Sequence, residues 1–152
     1  MTTRIKTILD EIVQKIEAIQ MDSDAEPNTA FHHLQGRWDI FREQANLSDR
    51  SFTINILQGD TLPDFGLQSS VENQFLLEII LCHARRNDAL SQEKILGHDC
   101  EKIALTLNKL SNIGSASLVR TENFDTNRSS PHYLYTHLRI LVKYSLSYNI
   151  LN

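Results

Sequence analysis

The tightest constraint on the fold lies near the end of the chain, in Pro131-His-Tyr-Leu-Tyr-Thr-His-Leu-Arg-Ile-Leu-Val-Lys-Tyr-Ser-Leu146. Its even positions are Leu134, Thr136, Leu138, Ile140, Val142, Tyr144 and Leu146; its odd positions are Tyr133, Tyr135, His137, Arg139, Leu141, Lys143 and Ser145. Apolar side chains at every second residue define a strand with one buried face. At roughly 3.3 Å per residue the segment spans about 45 Å, where a typical strand has about five or six residues. The even side must meet a core. The odd side brings two tyrosines, a histidine, an arginine and a lysine into one row, with Tyr135 and Arg139 expected to be exposed.

The other periodic segments supply what that strand needs. Ile5, Ile8, Leu9, Ile12, Val13, Ile16 and Ile19 recur at i, i+3, i+4 and i+7, the apolar stripe of a helix over residues 3–20, with Thr2 or Thr3 to cap it. Charge and Pro27 end it. Residues 29–50 follow no clean period and read as an irregular insert, with a short helical turn expected over Asp39 to Asn46. Phe52–Leu57 alternates as a strand, and Gln58–Ser70 reads as a long loop with two glycines and a proline. Val71–Arg85 is apolar on both faces, which predicts a central strand. Ser91-Gln-Glu-Lys opens a second helix with Leu96, Cys100, Ile103, Leu107 and Leu110 on its stripe, closed by Gly114. Ser115–Phe124 is a further strand, and Glu122–Ser130 a polar tip before the closing strand. The expected fold is a single two-layer α+β domain over residues 1–152, a mostly antiparallel four-stranded sheet packed by two helices in the order α-β-β-α-β-β.

Composition removes several functional classes. A net charge of −4 provides no basic field to draw in nucleic acid. Cys82 and Cys100 fall in predicted core positions, as free thiols suited to a reducing cytoplasm. No continuous apolar stretch at the N-terminus fits a secretory signal. The longest apolar run, Phe75 to Cys82, is broken by Glu78 and is too short for a bilayer.

Catalytic patterns are equally sparse. His32 and His33 are adjacent and diverge, and His132 and His137 fall on opposite faces of a strand. His98, Asp99, Cys100 and Glu101 are consecutive on a helix and point in different directions. Pro63-Asp64 followed by Glu72 lacks the lysine of a metal-dependent nuclease, and Gly114-Ser-Ala-Ser lacks the second glycine of a nucleophile elbow. The odd side of the closing strand remains. It reads as a protein interface, in which Tyr and Arg are enriched, or nearly as well as a solvated face. Single-stranded nucleic-acid binding is the weakest of the three readings.

In element order and hydrophobic pattern the chain resembles the tail terminator (tail completion, minor tail protein) family of long-tailed bacteriophages. The resemblance rests on Ile5–Ile19, Phe52–Leu57, Val71–His83, Glu93–Leu110, Ser115–Phe124 and Tyr133–Leu146. It implies a structural, non-enzymatic protein without a cofactor, forming a six-membered ring on the last ring of the tail tube. That ring stops tube growth and joins the head–tail connector protein. The partners implied are further copies of the chain, the tail tube protein and the connector, with no specific nucleic acid and no membrane. The location implied is the virion tail, assembled in the host cytoplasm. Mapped onto this chain, Tyr133, Tyr135, His137, Arg139 and Lys143 form an inter-subunit or tube interface. Asp60, Leu62, Asp64, Phe65 and Leu67, with Asn123, Asp125 and Arg128 at the tip, supply ring contacts. The alternative is a small cytoplasmic metal- or ligand-binding α+β enzyme domain, using His98, Asp99, Glu101 or the Tyr–His–Arg face.

Overall fold

A computed structural model describes residues 4–21, 29–35, 49–60, 70–110, 115–124 and 133–147. Within them the chain forms helix α1 (Arg4–Glu17), strands β1 (His32–His33), β2 (Ser51–Asp60) and β3 (Ser70–Ala84), helix α2 (Ala89–Leu107), and strands β4 (Ser115–Phe124) and β5 (Tyr133–Ser147). The strands build one sheet in the order β1-β2-β3-β5-β4. All long neighbours are antiparallel, and only the two-residue β1 runs parallel, to β2 at Ser51 and Phe52. The protein is therefore an α+β fold with four long strands, a short fifth, and two helices among the described residues.

The two strands with the strongest apolar patterns lie in the middle. β3 and β5 pair along their full lengths, from Ser70 opposite Ser147 to Ala84 opposite Tyr133. The register puts Phe75, Leu77, Ile79 and Leu81 on the same face as Val142, Ile140, Leu138 and Thr136. That face packs against Ile8, Ile12 and Ile16 of α1 and Cys100, Ile103 and Leu107 of α2, forming the main core. Ile8, Ile12 and Ile16 are wholly excluded from solvent, and each such burial contributes about 1.5–3 kcal/mol. Packing on this scale outweighs the modest helix propensity of isoleucine.

Several element boundaries differ from the sequence expectation, including the end of α1 at Glu17 where residue 20 was expected. β2 extends to Asp60 and β3 starts at Ser70, so both strands run into the predicted Gln58–Ser70 loop. α2 begins at Ala89 because Asp88, and not Ser91, caps it: the Asp88 carboxylate accepts from the Leu90 N–H at 3.2 Å and the Ser91 hydroxyl at 2.7 Å. The irregular insert contains β1, whose two residues carry no periodic signal. α2 ends at Leu107 with Asn108 as its C-cap, so Leu110 lies past the helix and the expected closure at Gly114 is not used. The expected N-cap at Thr2 or Thr3 and the turn over 39–46 lie outside the described residues. Among the described residues, no helix is long and apolar enough to cross a membrane.

Candidate functional site

The face of the sheet away from the helices carries the odd side of β5. Cα partners across β2, β3 and β5 place Asn55, Glu78 and Arg139 in one row, and Thr53, Ile80 and His137 in the next. Glu78 sits at the centre, 6% exposed. Arg139 Nε donates to its Oε2 at 3.4 Å, and His137 Nδ1 lies 3.2 Å from the same oxygen, close enough for an ion pair though not aligned as a hydrogen bond. A carboxylate this deep is tolerated because the Arg139 guanidinium and the His137 ring stand beside it.

Exposure along this face falls off sharply. Lys143 is exposed, Arg139 and Tyr133 are half-buried, and His137 is nearly covered. Tyr135 is only 3% exposed, which corrects the expectation that it stands in solvent. The reason is a second apolar cluster on this face, Ile80, Cys82 and Tyr135, with Leu34 and Tyr133 packed against it. A central strand that is apolar on both sides needs cover on both sides. The open part of the proposed interface is therefore its Arg139–Lys143 end.

A second polar cluster lies on the helix side of the sheet and includes Asp99, one of the residues of the enzyme alternative. Asp99 of α2 and His83 of β3 are wholly buried and Arg50 nearly so. Arg50 Nε donates to Asp99 Oδ2 at 2.8 Å, and His83 Nε2 stands 2.6 Å from the same oxygen. His98, partly exposed, places Nδ1 3.3 Å from Asp99 Oδ1. His83 Nδ1 has no hydrogen-bond partner among the described residues. Burial pushes the Asp99 carboxyl up, but hydrogen bonds from His83 and Arg50, with their charges, outweigh it and leave the group below the usual carboxylate range.

Arg50 reaches this position from a left-handed backbone, with φ at 64°. That conformation is uncommon for a residue with a side chain and persists where its surroundings over-determine it. Here they do. The Arg50 N–H donates to Cys82 O, its carbonyl accepts from the His32 N–H, and Nη1 donates to Thr29 O. The guanidinium also lies 5.8 Å from the centre of the Phe31 ring. Asp49, one residue earlier, accepts from the Ala84 N–H at 2.8 Å and pairs with Arg86. The Asp49–Arg50 corner thus ties β1, the end of β3 and α2 together.

The signal for this cluster was present in the periodicity. Asp99 occupies the apolar stripe of α2 between Leu96, Cys100 and Ile103, and His83 continues the inward alternation Ile79–Leu81. A polar residue on a buried stripe implies a buried partner. Nothing local pointed to Arg50, which stands 49 positions from Asp99.

Within the string His98–Glu101, His98 stays beside Asp99, Asp99 and Cys100 are buried, and Glu101 is exposed. Among the described residues no group of three or more His, Cys, Asp or Glu side chains could hold a metal ion. Cys82 and Cys100 are free and buried; burial, then the nearby Asp49, pushes the Cys82 thiol up to about 12, and burial, then Asp99, pushes Cys100 up to about 11. Neither is a candidate nucleophile. Of the expected ring-contact residues, Asp60 closes β2 and Asn123 lies in β4. Leu62, Asp64, Phe65, Leu67, Asp125 and Arg128 lie outside the described residues. Comparison with known protein-family models and with curated proteins finds no match for this sequence.

Proposed function

We propose that the protein is a structural component of a phage tail, forming a six-membered ring that caps the tail tube, stops its growth and joins the head–tail connector. The observation that carries this reading is the two-layer arrangement in which the two helices and four long strands follow the order α-β-β-α-β-β, with both helices on one sheet face. This is the element order on which the family resemblance rests. It leaves the Arg139–Lys143 end of the other face for contacts between subunits or with the tube. The buried polar groups favour a structural role as well. The Asp99 carboxylate, which the enzyme alternative would use, is engaged by Arg50 and His83.

The ring reading is tested by mixing purified protein with purified tail tubes and following tube length and copy number. Capped tubes that stop extending, with six copies at one end, are the expected result. A protein that never associates with tube protein overturns it.

A further inference from the structure

The outer side of α2 carries a pattern that the ring reading does not use. Its exposed positions include Leu90, Lys94, Gly97, Glu101 and Leu105, spaced by four, three, four and four residues, so they form one stripe along the helix. The stripe is unusual at both ends and in the middle. Leu90 and Leu105 are 58% and 52% exposed, the two largest exposures among the large hydrophobic residues described. Gly97 sits mid-helix, where glycine costs about 1 kcal/mol relative to alanine. A Cβ added there would meet nothing within 4 Å among the described residues, so their packing gives no reason for the glycine.

The stripe is self-complementary. Reversed about a point between Gly97 and His98, Leu90 falls opposite Leu105, Lys94 opposite Glu101, and Gly97 opposite His98. A two-fold axis through that point would lay a second α2 antiparallel to the first. It would form two leucine pairs at the ends and two opposite-charge pairs inside them. The glycine, lying at the crossing, lets two helix backbones approach toward the short end of the usual range of about 8–10 Å. A contact of this kind is isologous, the same patch serving both subunits. We infer that the outer face of α2 binds a second copy of this chain as an antiparallel helix pair. The contact lies on the helix layer, on the other side of the sheet from Arg139 and Lys143, so it goes beyond the ring reading and does not depend on it.

Charge reversal tests the pairing. By symmetry each single reversal turns two attractions into two repulsions, so Lys94→Glu or Glu101→Lys should weaken self-association about tenfold or more in sedimentation equilibrium. The double variant Lys94→Glu/Glu101→Lys should restore it to within a few fold of the parent. An independent reading comes from Gly97→Cys. Placed beside the axis, it should oxidise to a covalent dimer in dilute solution, while the parent, whose two cysteines are buried, does not. All these positions are exposed, and unchanged circular dichroism melts confirm that the variants fold. A parent that stays monomeric, single reversals without effect, a double variant that fails to recover, or a Gly97→Cys protein that does not cross-link would overturn the inference.

Discussion

Asp99 illustrates how a single residue can be both costly and required. Moving a carboxylate out of water carries a penalty of several kcal/mol, and only well-placed partners repay it. Arg50 and His83 converge on one oxygen of that carboxylate. Asp99→Ala would remove the buried carboxylate on which Arg50 and His83 converge, and should destabilise the protein by about 3–5 kcal/mol in urea denaturation. The same pair sets an acid response. A carboxylate whose pKa falls on folding contributes its full stabilisation above its unfolded pKa of about 3.9, and loses it as pH drops through the lower folded value. The stability gap between parent and Asp99→Ala should therefore be present at about pH 5 and shrink as pH falls below about 4. A gap that widens on acidification would show that Asp99 is not ionised in the fold. The raised thiols of Cys82 and Cys100 lead to a further expectation. At pH 8 neither should react with iodoacetamide in the native protein, and both should react once it is unfolded.

At the scale of elements, β5 shows what alternation can and cannot reveal. Its even side was legible because each inward position must meet a core: Leu138, Ile140 and Val142 are buried as read. Its odd side was not, because polar and aromatic residues suit solvent and a second packed layer alike. Tyr135 meets Ile80 and Cys82, and only the apolar character of both β3 faces hinted at that layer. Truncations should separate the two ends of the face. Tyr135→Ala should cost roughly 2–5 kcal/mol, as for a buried large side chain. Lys143→Ala should stay within about 0.5 kcal/mol, as for an exposed one. Thermal melts of equal cost would mean that exposure along β5 is uniform. α1 was readable for the same reason as the even side of β5, from a stripe of isoleucines. β1 was not, since a two-residue parallel bridge is held by the Arg50 corner and by backbone hydrogen bonds, with no pattern of its own.

On the scale of the whole molecule, the layer arrangement followed from local periods, while the Arg50–Asp99–His83 cluster depended on three elements meeting in space. Periodicity indicates which side of an element faces inward. It does not indicate which inward residues become neighbours, and here the partners come from α2, from β3 and from the turn before β2. The order of strands has a consequence for how the chain reaches this state. β2 with β3, and β4 with β5, are neighbours in sequence, but the central seam joins β3 to β5. Its paired residues lie between about 50 and about 80 positions apart, so closing the seam costs chain entropy before it returns any hydrophobic contact. Two outer strand pairs and two helices can form early and still leave the sheet in halves. Stopped-flow refolding should accordingly be slow for a chain of this size, in milliseconds to seconds, with the joining of those halves as the rate-limiting event. The long strand that organises the core is thus also the last to be enclosed, and its apolar side is the surface most exposed to aggregation while the protein is being made.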